Sequence, residues 1–254
     1  MISATKKLRQ KLRAGGTALG SWLTLGSPAA AEVMAHAGFD FLIIDGEHTA
    51  AGLDSVQVLL QAMSGTETIP VLRIPSNDQT VIKVALDVGV RGIMVPMVND
   101  RQAAANAVAG CTYPPEGVRG IGPGRASLFG KRIREYLSTA NDEILVFIIV
   151  EHAQALTNIE DIVSVPGIDA VFFGYYDYAA SIGLRDNPDH PSVQAARATV
   201  LDAARKTGVA AAYAAGSPAH AKELMKLGFQ VITIGGDANF IIGGSQSVIG
   251  AMHA

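Results

Sequence analysis

Asp45, Glu47 and His48 stand within four residues at the end of an apolar run, F-L-I-I-D-G-E-H from Phe41 to His48. Arg73 closes a second such run, P-V-L-R, Glu151 closes a third, I-L-V-F-I-I-V-E, and Asp177 follows a fourth in A-V-F-F-G-Y-Y-D. Residues that are apolar at consecutive positions need burial on both faces, so each run reads as an interior strand. Each ionisable side chain therefore falls where a buried strand gives out. Taken singly they have ordinary readings: Asp177 as the N-cap of the segment Y-A-A-S-I-G, Glu151 as a solvent-facing charge beside His152. Taken together they make a chemical set. Glu151 and Asp177 end neighbouring strands, and two bare carboxylates repel unless a hard cation with oxygen ligands lies between them, magnesium or manganese rather than zinc. His152, just past its strand, reads as a loop histidine. His48 suits proton movement near neutrality, and Arg73 suits an anion. None of the eight lysines ends a strand, which argues against a Schiff base. A cation to polarise a carbonyl, an arginine and a histidine are the requirements for forming an enolate beside a carboxylate.

The elements that hold these residues follow one repeated pattern. A helical segment closes on glycine and a β-rich run follows at once, as in A-H-A-G-F-D-F-L-I-I-D, A-L-D-V-G-V-R-G-I-M-V-P-M-V and L-M-K-L-G-F-Q-V-I-T-I-G-G. With T-A-L-G-S-W-L-T-L-G, T-I-P-V-L-R-I-P and E-I-L-V-F-I-I-V-E the pattern predicts eight strands, each followed by helix, for instance over 28–37 and 78–88. Eight parallel strands covered by helices predict an α/β fold, a (β/α)8 TIM barrel, as a single domain over 1–254. A doubly wound open sheet is the structural alternative, but strand one has no G-x-G-x-x-G turn to support a dinucleotide. The irregular stretch 111–132, C-T-Y-P-P-E-G-V-R-G-I-G-P-G-R-A-S-L-F-G-K-R, reads either as a surface insertion or as an active-site lid.

Composition narrows the partners. At 254 residues and 49% hydrophobic, the chain suits a one-domain barrel. Twenty basic against 23 acidic residues give a formal charge of −3, with no electrostatic case for nucleic acid or an anionic membrane. A single cysteine, Cys111, fits a reducing compartment. No uninterrupted apolar run approaches the roughly 18 residues of a membrane span. The basic N-terminus has no apolar stretch behind it and reads as a short amphipathic helix, so the expectation is a soluble, cytoplasmic protein acting on a small polar molecule.

The strings A-G-F-D-F-L-I-I-D-G-E-H, P-V-L-R-I-P-S-N-D, L-D-V-G-V-R-G-I-M-V-P-M-V, Y-P-P-E-G-V-R-G and G-I-D-A-V-F-F-G followed by Asp177, in this order over nearly the whole chain, resemble the HpcH/HpaI family of metal-dependent aldolases. The resemblance implies a (β/α)8 barrel, a Mg2+, Mn2+ or Co2+ ion, and cleavage of 4-hydroxy-2-oxo acids to pyruvate or a related 2-oxo acid plus an aldehyde. It also implies a homohexamer, a trimer of dimers, with an exchanged C-terminal helix; A-N-F-I-I-G-G-S-Q-S-V-I-G-A-M-H-A is apolar enough to supply it. Carried across, the resemblance makes His48 the base, Arg73 the group that binds substrate and stabilises the transition state, and Glu151 and Asp177 the metal ligands. Asp87, otherwise an exposed charge in the last turn of a helix, becomes the acid that raises the histidine's basicity across a subunit boundary. Asp45 and Glu47 are read as outer groups that position metal-bound water and the histidine, and Gly174, Tyr176 and Asp177 as substrate-binding positions.

Two departures stand out. Where relatives have Gln-x-Glu, this chain has Ile149-Val150-Glu151, and where they have G-P-x-D-L-S it has G-Y-Y-D-Y-A-A, 174–180. The amide contact is lost, and pocket volume and polarity change. Three other readings stay open on sequence alone: a citrate-synthase-like condensation of a 2-oxo acid, as in siderophore-linked citrate formation; a phosphate-handling barrel using A-A-G-S-P and I-G-G-D-A; and a keto-acid binding module without turnover.

Overall fold

The structure, a computed structural model, describes residues 2–253. The strands are β1 Ala18–Leu23, β2 Phe41–Asp45, β3 Ile69–Arg73, β4 Gly92–Val95, β5 Leu145–Val150, β6 Ala170–Phe173, β7 Ala210–Ala215 and β8 Val231–Gly236. Each pairs in parallel with the next and β8 pairs with β1, so the sheet closes into the predicted (β/α)8 barrel. The helices are α1 Ala4–Arg13, α2 Pro28–Ala35, α3 Leu53–Ala62, α4 Gln79–Val88, α5 Arg101–Cys111, α6 Ile133–Glu143, α7 Ala153–Thr157, α8 Ile159–Val163, α9 Tyr175–Ser181, α10 Pro191–Thr207, α11 Pro218–Leu227 and α12 Asp237–Met252.

Strand alternation explains why the runs are apolar throughout. Phe41, Ile43, Val71, Met94, Leu145, Phe147, Ile149 and Phe172 fill the barrel interior, while Leu42, Ile44, Leu72, Ile93, Val146, Ile148 and Val171 pack outward under the helices. Gly20 leaves room inside: a Cβ there would stand 2.2 Å from the Phe41 ring. Continued by one step, the inward rows 41–43, 69–71 and 145–147–149 arrive at Asp45, Arg73 and Glu151. Burial and register together aim these three at the C-terminal mouth.

Helix ends follow local chemistry. Asp78 precedes α4 and does not belong to it; its carboxylate accepts from the amides of Thr80 (2.7 Å) and Val81 (3.1 Å), and Gly89 at φ 110° ends the helix. The 111–132 stretch, read as a surface insertion or a lid, packs along α4. It runs down the outside of α4: Gln79 donates to the Val118 carbonyl, Gly120 lies against Lys83, Gly124 against Asp87, and Arg125 donates to the Val88 carbonyl. These contacts make the stretch a strap on α4. The last helix, α12, is anchored by its first turn, where Asp237 accepts from Thr24 and Leu25. Beyond that turn it is exposed on every face, Ile241, Ile242, Val248 and Ile249 included.

Candidate active site

The D-G-E-H turn is built around Asp45. Its Oδ1 accepts from the amides of Glu47 (3.0 Å) and His48 (3.2 Å), folding the chain back at the strand end. Gly46 is required there, because a Cβ would lie 2.8 Å from the Arg73 carbonyl oxygen. Arg73, one strand over and in register with Asp45, forks onto the same carboxylate through Nε (3.0 Å) and Nη2 (2.7 Å). Its Nη1 reaches Glu47 at 3.4 Å, and its plane lies 4.6 Å from the Trp22 ring centroid. Burial alone would push the Asp45 carboxyl up, but the Arg73 hydrogen bond and charge and the two turn amides outweigh it and hold it below its ordinary value. Glu47 is driven the other way: burial raises it, and the charges of Asp45 and Asp177 add to that against Arg73 and His48. His48 projects outward with its ring about two-thirds exposed (64%), Nε2 3.6 Å from Glu47.

Glu151 is buried, not solvent-facing, at 6% exposure. Its Oε1 accepts from the Met97 amide at 2.7 Å, an amide turned inward by a left-handed residue, φ 53°. Its other oxygen faces Gly174, where a Cβ would stand 2.8 Å away, so only glycine fits that position. Asp177 lies not at a strand end but in the first turn of α9, since β6 stops at Phe173 and Gly174 caps the helix that begins at Tyr175. Burial, together with the nearby charges of Asp177 and Glu47, lifts the Glu151 carboxyl to about 7, against the pull of the Met97 amide. Arg73, Glu151, Gly174, Tyr176 and Asp177 border one cavity of about 120 Å3, whose remaining wall is Trp22, Ile149, Phe172, Phe173, Tyr175 and Ala214.

Residues 18–243 match the HpcH/HpaI aldolase/citrate lyase family. The chain belongs to that family. It is 39% identical over 242 residues, 94% of this chain and 92% of the relative, to the 4-hydroxy-2-oxo-heptane-1,7-dioate aldolase of Salmonella typhimurium. The crystal structure of an HpcH/HpaI aldolase/citrate lyase family protein from Burkholderia cenocepacia J2315 superposes with a TM-score of 0.94 at 36% identity, covering 98% of this chain and 100% of that one. The citrate synthase SbnG superposes with a TM-score of 0.87 at 25% identity, with 97% of each chain covered. This HpcH/HpaI protein is accordingly a carbon–carbon lyase.

The residues singled out in the sequence divide into two groups. Asp45, Glu47, His48, Arg73, Glu151, Gly174, Tyr176 and Asp177 meet at one mouth. Asp87 does not: it sits in the last turn of α4, paired with Arg119 at 2.8 Å, and no bond links it to the His48 of its own chain. His152 caps α7, its Nδ1 accepting from the Gln154 amide, as a loop histidine would. Trp22 and the Met97 amide were not read from the sequence. Alternation along β1, with Ala18 and Gly20 inward, pointed to Trp22; nothing in V-P-M-V-N-D pointed to Met97. The turn after β8 gives no support to a phosphate site, since the carboxylate of Asp237 already accepts from the Thr24, Leu25 and Ala238 amides.

The donor set suits a hard cation. Glu151 has one oxygen aimed at the cavity, Asp177 is exposed beside it, and no arginine or lysine among the described residues forms an ion pair with either. Among the described residues no group of three or more His, Cys, Asp or Glu side chains is placed to hold a metal, so an ion on this pair would take its other ligands from water and substrate. No described helix is long and apolar enough to cross a membrane.

Proposed function

We propose that this protein is a divalent-metal aldolase that reversibly cleaves 4-hydroxy-2-oxo acids to pyruvate or a close 2-oxo acid and an aldehyde. The observation that carries the reading is the convergence of the Glu151–Asp177 carboxylate pair with the Asp45-anchored Arg73 at one mouth. Mg2+, Mn2+ or Co2+ held by Glu151 and Asp177 would supply Lewis acidity to the carboxylate and keto oxygen of the 2-oxo acid. His48 accepts the proton of the 4-hydroxyl, directly or through water, as the C3–C4 bond breaks; its electron pair passes to C3 as the enolate, and the aldehyde carbonyl forms. Arg73, its orientation fixed by Asp45 and Trp22, stabilises negative charge on the keto or aldehyde oxygen. Asp45 and Glu47 act through others, Asp45 on Arg73 and the turn, Glu47 beside His48. The assembly is a cytoplasmic homohexamer in which α12, exposed on every face, packs on another protomer, and the partner subunit's Asp87 faces His48. Incubating the metal-loaded protein with 4-hydroxy-2-oxo acids should release 2-oxo acid and aldehyde in equal amounts; release of neither sinks the reading.

A second reading is favoured by two observations, the likeness to the citrate synthase SbnG and the apolar Ile149 in the cavity wall. It predicts citrate from oxaloacetate and an acyl donor, with no aldehyde. Measuring both products from the same preparation separates the two.

The tyrosines of G-Y-Y-D-Y set the donor. Tyr175 is drawn into the packing between barrel and helices, its ring stacked on Tyr213 at 5.2 Å and 12°. Tyr176 stands at the cavity rim, 61% exposed, 4.4 Å from Tyr175, and is the ring that a bulkier donor would meet. Tyr176→Ala should change the ranking of 2-oxo acid donors, by kcat/KM, about tenfold, on the order of 1.4 kcal/mol. An unchanged ranking with a lowered Tm would make Tyr176 a packing residue.

A further inference from the structure

The Y-P-P-E-G-V-R-G string supplies Arg119, the largest fully buried side chain among the described residues. Arg119, within the strap, has a side chain with no solvent exposure. Its guanidinium lies 4.5 Å from the Tyr113 ring centroid and 5.5 Å from that of Tyr136. Nη1 donates to the Tyr136 hydroxyl (3.1 Å) and Nη2 to Asp87 Oδ1 (2.8 Å), while Nε has no partner among the described residues. The glycines make this possible. A Cβ on Gly117 would overlap Thr112 and the Ala109 carbonyl, and one on Gly124 would stand 2.6 Å from the Asp87 carbonyl oxygen. A buried cation with one unsatisfied nitrogen, paired to a carboxylate that is itself still 23% exposed, is a poor stabilising device compared with apolar packing. As a device for orientation it is effective: Oδ1 is fixed, and Oδ2 accepts from no described residue and stays reachable.

We propose that Arg119 is a positioning residue for the aldol reaction, holding Asp87 by one oxygen so that the other is presented to the partner subunit's His48. This rests on the reading of Asp87 given above. Lys83, one turn earlier on α4, and Arg125, on the Val88 carbonyl, are the other charges near Asp87; Glu47, Arg73 and Asp45 are those near His48. A carboxylate held against an imidazole favours its protonated form, so loss of that contact moves the acidic limb of kcat/KM to lower pH. Arg119→Lys retains the charge and loses the planar fork, and so isolates geometry from screening.

The experiment compares pH–rate profiles of the full-length, metal-loaded enzyme with Asp87→Asn, Arg119→Lys and both together. Expected are a downward shift of the acidic limb in each single variant, a fall in kcat of about tenfold in Arg119→Lys with KM for the 2-oxo acid unchanged, and no further shift in the double variant. An unshifted limb in Asp87→Asn overturns the reading of Asp87 and this proposal with it. A shifted limb in Asp87→Asn beside an unshifted or raised limb in Arg119→Lys, or a further shift in the double variant, overturns this proposal alone. Should Arg119→Lys fail to fold, Tyr136→Phe, which removes only the hydroxyl that accepts from Nη1, decides: a smaller downward shift supports the proposal and an unchanged limb overturns it.

Discussion

Exhaustive EDTA treatment is expected to bring turnover to background, and Mg2+, Mn2+ or Co2+ to restore it. Two carboxylates are a thin ligand set, so the ion should exchange readily. Glu151 adds a pH dependence with a definite sign. Its carboxyl is lifted to about 7 by burial and by Asp177 and Glu47, above its ordinary value, so without an ion the folded chain binds more protons than the unfolded chain between about 4.5 and 7. Metal-free stability should therefore fall as pH rises through that window, by on the order of 3 kcal/mol, and level off above it. The ion competes with that proton, so its affinity should weaken as pH drops below about 7. Glu151→Gln removes the buried charge: the variant should not recover activity with metal, yet above pH 7 it should melt higher than the metal-free parent. Two measurements check this independently, metal titration by calorimetry and Tm against pH. Full turnover with no detectable metal would end the mechanism, and a Glu151→Gln variant less stable than the metal-free parent at pH 8 would show that the carboxylate is not held under strain.

The barrel and half of the mouth were legible because they rest on periodicity. Once 41–43, 69–71 and 145–149 are inward rows, Asp45, Arg73 and Glu151 have no other direction to point. Asp177 was placed one element too early, because F-F-G-Y-Y-D continues an apolar run while Gly174 already caps a helix; that glycine is required by Glu151, which leaves no room for a side chain there, a long-range contact that no local pattern records. The course of 111–132 was illegible for a related reason. Glycine and proline in 111–132 announce an irregular path but not its direction, and the direction is set by Arg119 finding Asp87 on α4. Asp87 and Arg119 are each unremarkable by spacing, and only the fold pairs them. Ile149 was readable as apolar, and strand alternation already sends Tyr175 into the packing between barrel and helices; what it does not record is Tyr213, from β7, as the ring on which Tyr175 stacks.

His48→Ala is expected to lower kcat for aldol cleavage by about a hundredfold or more, the usual size of a lost general base. The variant should fold, because the D-G-E-H turn uses the backbone amide of residue 48, which donates to Asp45, and the exposed ring approaches Glu47 at 3.6 Å without a shorter polar contact among the described residues. Substrate affinity should change little, since Arg73 keeps its fork on Asp45 and the Glu151–Asp177 pair is untouched. A second substrate separates base catalysis from enolate formation. Oxaloacetate losing CO2 leaves its C3–C4 electron pair on C3, giving the same enolate as aldol cleavage, but it has no 4-hydroxyl proton to remove. Decarboxylation by His48→Ala should therefore remain near the parent rate while cleavage collapses, whereas Glu151→Gln should lose both. If the two activities fall together in His48→Ala, the histidine serves the enolate and not the hydroxyl, and the base must be sought elsewhere at the mouth. If neither falls, the two-thirds-exposed ring is a solvated side chain, and the turn exists to hold Arg73.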